Sequence, residues 1–168
     1  GDLYLGNSVT VDNVGTTNGG TQASPNPSAT ASLDGGDDGV TIPVLARGTT
    51  AIIPVAVTGS GGFLQGWIDW ADDGSFATAG DRIATNAVDG GTGDTDGIVN
   101  GVIALSVPVP ASAALTQTIA RFRLSSTSGL NFTGLAPDGE VEDYAVTAIQ
   151  PQADLSLTKT VSNPTPNN

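Results

Sequence analysis

The sequence predicts an all-β protein, an antiparallel β-sandwich of immunoglobulin-like or jelly-roll-like form, and three observations predict it. Twenty-three glycines and ten prolines punctuate the 168 residues, which suits short strands joined by turns. Good helix formers are scarce, with one Lys, two Glu and no Met, while Val, Thr and Ile are plentiful. Apolar residues also alternate at period two in several stretches, the pattern of a strand with one face in a core.

Taken in order, residues 3–14, LYLGNSVTVDNV, alternate around Val9 and Val11 and make a first strand. Residues 15–39 are mostly Thr, Asn, Gly, Ser and Pro, with almost nothing to bury, and read as a long surface loop. Loops of that length usually bind something or are tied down. Its end, DGGDDGV, offers Asp34, Asp37 and Asp38, either as metal oxygens or as a plain turn. A short strand over 40–45 precedes a clearer one over 49–58, with Ile53, Val55 and Val57 on one face. Pro54 has no N–H to give a sheet, which points to an edge or a bulge.

Residues 59–62 turn the chain into a strand in which Leu64, Ile68 and Trp70 share one face and Gln65, Trp67 and Asp69 the other. Another short strand spans 81–88, and DGGTGDTDG at 89–97 reads as a flexible hairpin tip. A long strand over 98–109 aligns Ile103, Leu105, Val107 and Val109. In IARFRLS at 119–125, Ala120, Phe122 and Leu124 face the core, so Arg121 and Arg123 stand together on the opposite face. Residues 139–149 close a domain of 1–149, and 150–152 are a linker. The tail, 153–168, carries an amphipathic strand with Leu155 and Leu157 against Ser156 and Thr158. Such a strand adds to an edge of its own domain, begins a following one, or inserts into the next copy, with Leu155, Leu157 and Val161 in alternate pockets.

Charge narrows the function. A net charge of −12, from 17 carboxylates against 5 basic side chains, excludes nucleic acid and an anionic membrane as partners. Divalent cations are the natural counter-charge for such a surface. Without Cys or His there are no disulfides, no Ser-His-Asp or Cys-His devices and no good zinc ligand set. No apolar run approaches the ~20 residues needed to span a bilayer, and the missing leader reads as a mature product or a fragment. Paired carboxylates, as in glycoside hydrolysis, are the only catalytic device left, and composition alone supplies them, so the chain reads as a non-enzyme.

Chemistry concentrates at 64–81, LQGWIDWADDGSFATAGD. Asp69, Asp73 and the carbonyl of Ser75 lie in a D-x-x-x-D-G-S run resembling the oxygen-rich front of a calcium loop. Gly74 stands at the sharp turn, Asp81 returns as a later carboxylate, and Ala71 takes a place that usually holds Asp or Asn. The other reading is an acidic turn between strands. Arg121 and Arg123 ask for carboxylates, and Glu140, Glu142 and Asp143 are the nearest supply, in a cluster worth ~1 kcal/mol or less if exposed. Those carboxylates serve equally as metal ligands, and both uses stay open. Trp67 and Trp70 fall on opposite faces, so an exposed Trp67 would stack on a glycan; alternatively one Trp is core and the loop half-covers the other.

Several of these motifs occur together in one family. GLAPDGEVEDYAV at 134–146, ARFRLS at 120–125, LQGWIDW at 64–70, LYLGNSV at 3–9 and DDGV at 37–40 resemble the GEVED domain of bacterial secreted and cell-surface proteins, over about residues 3–149. Where that family reads D-W-N-G-D-G-x-F, Asp69, Trp70, Asp73, Gly74 and Phe76 match, while Ala71 and Asp72 depart. The tail resembles the opening strand of a second bacterial surface repeat. The resemblance implies an exported, extracellular, multidomain architecture of adhesins, stalks and fibres, partnered by copies of itself or adjacent β-domains, with no catalytic activity.

Overall fold

A computed structural model describes residues 2–8, 22–23 and 37–152. The strands are β1 (Tyr4–Leu5), β2 (Gln22–Ala23), β3 (Leu45–Ala46), β4 (Thr50–Thr58), β5 (Phe63–Ile68), β6 (Arg82–Ala87), β7 (Val102–Pro108), β8 (Gln117–Ser125), β9 (Gly134–Leu135) and β10 (Glu140–Ile149). They form a three-stranded sheet in the order β1-β4-β7, a five-stranded sheet in the order β3-β10-β8-β5-β6, and a small β2-β9 pair. Every pairing is antiparallel except the short parallel contact of β3 with the end of β10. The all-β sandwich expected from alternation is the fold observed.

The core lies between the two large sheets. Ile53 and Val55 of β4 and Ile103, Leu105 and Val107 of β7 face Leu64 and Ile68 of β5, Ala120, Phe122 and Leu124 of β8, and Tyr144 and Val146 of β10. Burial of these side chains, each worth roughly 1.5–3 kcal/mol for the larger ones, holds the sheets together. Phe122 and Tyr144 meet edge to face at 6.0 Å.

A second apolar layer covers the outer face of the five-stranded sheet, beneath the segment 126–139. Trp67 meets Phe132 at 6.2 Å and Phe76 meets Phe132 at 5.9 Å, both edge to face. Arg82 lies over the Trp67 ring and Arg121 over Phe76. Both faces of β5 are therefore buried, and both tryptophans with them, at 2 % exposure for Trp67 and 6 % for Trp70.

Three local expectations are corrected. Pro54 sits not on an edge strand but in β4, the middle strand of its sheet, opposite Ala104. It is tolerated because the short contact on its other side, with segment 39–41, is made by the Pro54 carbonyl accepting the Thr41 N–H and by the Ala56 N–H donating to the Gly39 carbonyl, without a donor from Pro54. Of the strand expected over 40–45, Val40 makes only an isolated bridge with Val55, and the strand that forms, β3, keeps Leu45 alone of that stretch. The glycine-rich tip at 89–97 is internally bonded: Asp94 accepts N–H groups from Gly90 and Ala104, and Asp89 from Asn100 and Gly101. Val9, Val11, Asp34 and the whole tail, with Leu155, Leu157 and Val161, lie outside the described residues.

Candidate functional site

The acidic loop 69–81 begins where β5 ends. Asp69 is buried, and its two carboxylate oxygens accept the backbone N–H groups of Asp73 at 3.1 Å and Gly74 at 2.9 Å. This carboxylate pins the turn from its first residue, as Asx side chains do. Asp73 repeats the device one step on, accepting the Ser75 N–H at 3.0 Å and the Thr78 hydroxyl at 2.7 Å. The Ser75 hydroxyl in turn accepts the Ala77 N–H. Asp72, at φ 54°, turns the chain outward and takes the Thr116 hydroxyl at 2.7 Å, tying the loop to the segment before β8.

Asp81 closes the loop and differs from the others. It is 1 % exposed; one oxygen accepts the Trp70 N–H at 3.3 Å, and Oδ2 is buried with no hydrogen-bond partner. Burial pushes its carboxyl up to about 6 against the pull of the Trp70 N–H, and the charges of Asp69 and Asp73 push the same way. Two carboxylates, Asp69 and Asp73, thus act on the orphaned buried oxygen of a third, and hard oxygen donors of this charge are the donor chemistry calcium takes. In this arrangement no three acidic side chains among the described residues converge on a common point. An ion would therefore draw Asp69 or Asp73 oxygens from the N–H groups they accept.

The second cluster is the G-E-V-E-D-Y run that opens β10. Gly139, at φ +89°, comes so close to β8 that a Cβ would lie 1.8 Å from the Leu124 carbonyl oxygen. Glu140 and Glu142 share the inner face of β10 with Tyr144, and both are buried. Glu140 accepts the Leu5 N–H at 2.9 Å, and Glu142 accepts the N–H groups of Asp38 at 3.0 Å and Gly39 at 3.1 Å. Tyr144 donates its hydroxyl to Glu142 and accepts the Val40 N–H. Burial pushes the Glu142 carboxyl up to about 7, outweighing the donors around it, and the Tyr144 hydroxyl is pushed upward too, chiefly by burial.

Asp143 points to the opposite face and pairs with Arg121, through Nε to Oδ1 at 2.6 Å and Nη2 to Oδ2 at 2.6 Å. Arg123 donates instead to the carbonyls of Asn131, Thr133 and Gly134, holding the covering segment down. Burial, with Arg121 beside it, lowers the Arg123 pKa to about 10.

Of the expected five-residue ion cluster, then, Arg121 and Asp143 form a salt bridge. Glu140 and Glu142 face inward, away from both arginines, and accept backbone N–H groups instead. β10 carries apolar residues and carboxylates on both faces, so its parity could not be read without the register. The stacking role of Trp67 is also corrected, because Phe132 and Arg82 cover a ring that is 2 % exposed. Asp38 takes the Asn7 N–H and the Ser8 hydroxyl, and so fastens the N-terminal segment. What sequence reasoning missed was that buried carboxylates here accept backbone N–H groups. The signal available was the shortage of basic partners for them.

No curated protein and no solved structure matches the chain. The sequence model of the GEVED domain matches residues 63–147, from the start of β5 almost to the end of β10. Domains of this family are non-enzymatic modules of bacterial secreted or surface proteins. With just over half of its 168 residues matched, and with the motif glycine and carboxylates each in a defined structural role, this chain belongs to the GEVED domain family.

Proposed function

We propose that the chain is a structural or adhesive building block of a bacterial surface protein or extracellular fibre, stiffened by calcium and joined to a neighbour through its C-terminal strand. The observation that carries the calcium reading is the orphaned, buried Oδ2 of Asp81 beside Asp69 and Asp73. Asp69, Asp73, Asp81 and the Ser75 carbonyl would hold the ion, which would neutralise the loop and brace it against β5. Support for the module reading comes from the family match and from the use of the G-E-V-E-D-Y carboxylates as acceptors within the fold.

Linkage rests on the alternation of Leu155, Leu157 and Val161, which suits addition of a strand to a neighbouring sheet edge. Calorimetry of the thermal midpoint with calcium and with chelator tests the metal. At a hundredfold excess over Kd, calcium should stabilise by ~2.7 kcal/mol. Asp81→Asn should abolish the shift. An unchanged midpoint in wild type would leave 69–81 a solvated turn.

A further inference from the structure

The sandwich has two poles, and the chain leaves for its C-terminal tail from one of them. β10 starts beside the end of β8, with Glu140 opposite Leu124, and finishes at Ile149 beside Ala46. At ~3.4 Å per residue, its ten residues carry the chain roughly 30 Å from pole to pole. The pole where β10 starts holds an apolar pocket of about 100 Å³ between the glycine-rich turn 59–62 and the tip after β6. Leu3, Val57, Val88, Val99, Ile103 and Leu124 line it, and Asp89 is the ionisable residue in that lining. Apolar space of this order takes one hydrophobic side chain.

The tail matches this lining in chemistry. Read as a strand, it sets Leu155, Leu157, Lys159 and Val161 on one face. Lys159, the single lysine of the chain, interrupts an apolar row, so that face suits an apolar surface with one acid beside it. Asp89 is such an acid. Its oxygens accept the Asn100 and Gly101 N–H groups, and a carboxylate has further acceptor sites for an ammonium. Residues 153–168 carry one Asp and one Lys, so a neutral segment meets an acidic neighbour without repulsion.

Reach decides whose pocket it is. Even doubling straight back from Ile149, Leu155 travels at most ~22 Å and Leu157 ~29 Å, short of the pocket at the far end of β10. We propose that the pocket receives Leu157 from the next copy of the chain, with Lys159 of that copy set against Asp89. This rests on the tail as a linking strand and names its acceptor. The contact is head to tail, so it repeats from copy to copy instead of closing as a pair.

Sedimentation velocity of the full chain over a range of concentrations tests it. Species should grow past two copies as concentration rises. Leu157→Asp and, independently, Val99→Asp should each weaken association at least about tenfold, the second with little change in thermal midpoint because Val99 is 80 % exposed. Mixing those two variants should restore pairs that grow no further, since one intact tail then meets one intact pocket. Lys159→Glu should weaken association about fivefold, and no loss there overturns the pairing with Asp89. Association lost with Leu157→Asp but indifferent to Val99→Asp overturns the pocket and leaves the linking strand standing. A chain that stays monomeric, or associates regardless of Leu157→Asp, overturns both. If Val99→Asp lowers the midpoint by about ten degrees and leaves association intact, the chain's own residues fill the pocket and the proposal falls.

Discussion

Arg121 of β8 and Asp143 of β10 are joined by two parallel N–H···O bonds of 2.6 Å across a pair of directly opposed strand residues, with Arg121 1 % exposed. The guanidinium also donates to the Phe132 carbonyl at 2.9 Å and lies over the Phe76 ring. One side chain thus ties β8 to β10, to the covering segment and to the acidic loop.

Removing one partner of that pair leaves a charge buried without its mate. Asp143→Ala should cost about 3–5 kcal/mol, and Arg121→Ala at least as much, because it also frees the Phe132 carbonyl. An apolar double replacement, Arg121→Met with Asp143→Leu, should recover part of the loss. Urea midpoints check this. A loss under ~1 kcal/mol would mean that the pair behaves as an exposed one.

Glu142 makes stability depend on pH in a direction opposite to ordinary acid denaturation. Its ordinary value is 4.5 and burial raises it to about 7, so the folded state holds a proton that the unfolded state has released. That contribution is fully present below 4.5 and is lost as pH rises through about 7. Over that window it amounts to up to about 3 kcal/mol. Asp81 shifts in the same sense, so the quantity to read is wild type minus Glu142→Gln. The difference should fall with rising pH across the window; a flat difference would show that the donors around Glu142 offset its burial, and a rising one that they outweigh it.

Gly139 has both a left-handed φ and a backbone oxygen where a Cβ would go. Gly139→Ala should therefore destabilise by ~2 kcal/mol or more, well beyond the strain of φ alone. Gly48→Ala provides the control, since Gly48 has a similar φ, +74°, and nothing within 4 Å. Equal losses at the two sites would show that β8 yields to the new methyl group.

How much could be read in advance differs from one element to the next. IARFRLS disclosed which of its residues face the core, because Ala120, Phe122 and Leu124 alternate against two arginines. The loop 69–81 disclosed its turn through Gly74 and its carboxylates through spacing. EVEDYAVTAI disclosed only that it is a strand. Apolar residues fall on both its faces, Val141, Ala145 and Ile149 against Tyr144, Val146 and Ala148, and carboxylates do too, so alternation did not single out the inner face.

The sequence by itself determined the β class, the positions of the long strands β4 to β8 and β10, and the family, because alternation, turn residues and local motifs act over a few neighbouring positions. Only the tertiary structure decided that both tryptophans are buried, that Glu140 and Glu142 face inward and that Asp81 keeps an oxygen without a partner. The physical reason is range. Burial of these groups is set by residues such as Leu5, Gly39 and Phe132, far away along the chain, which come close only once strands have chosen neighbours and register.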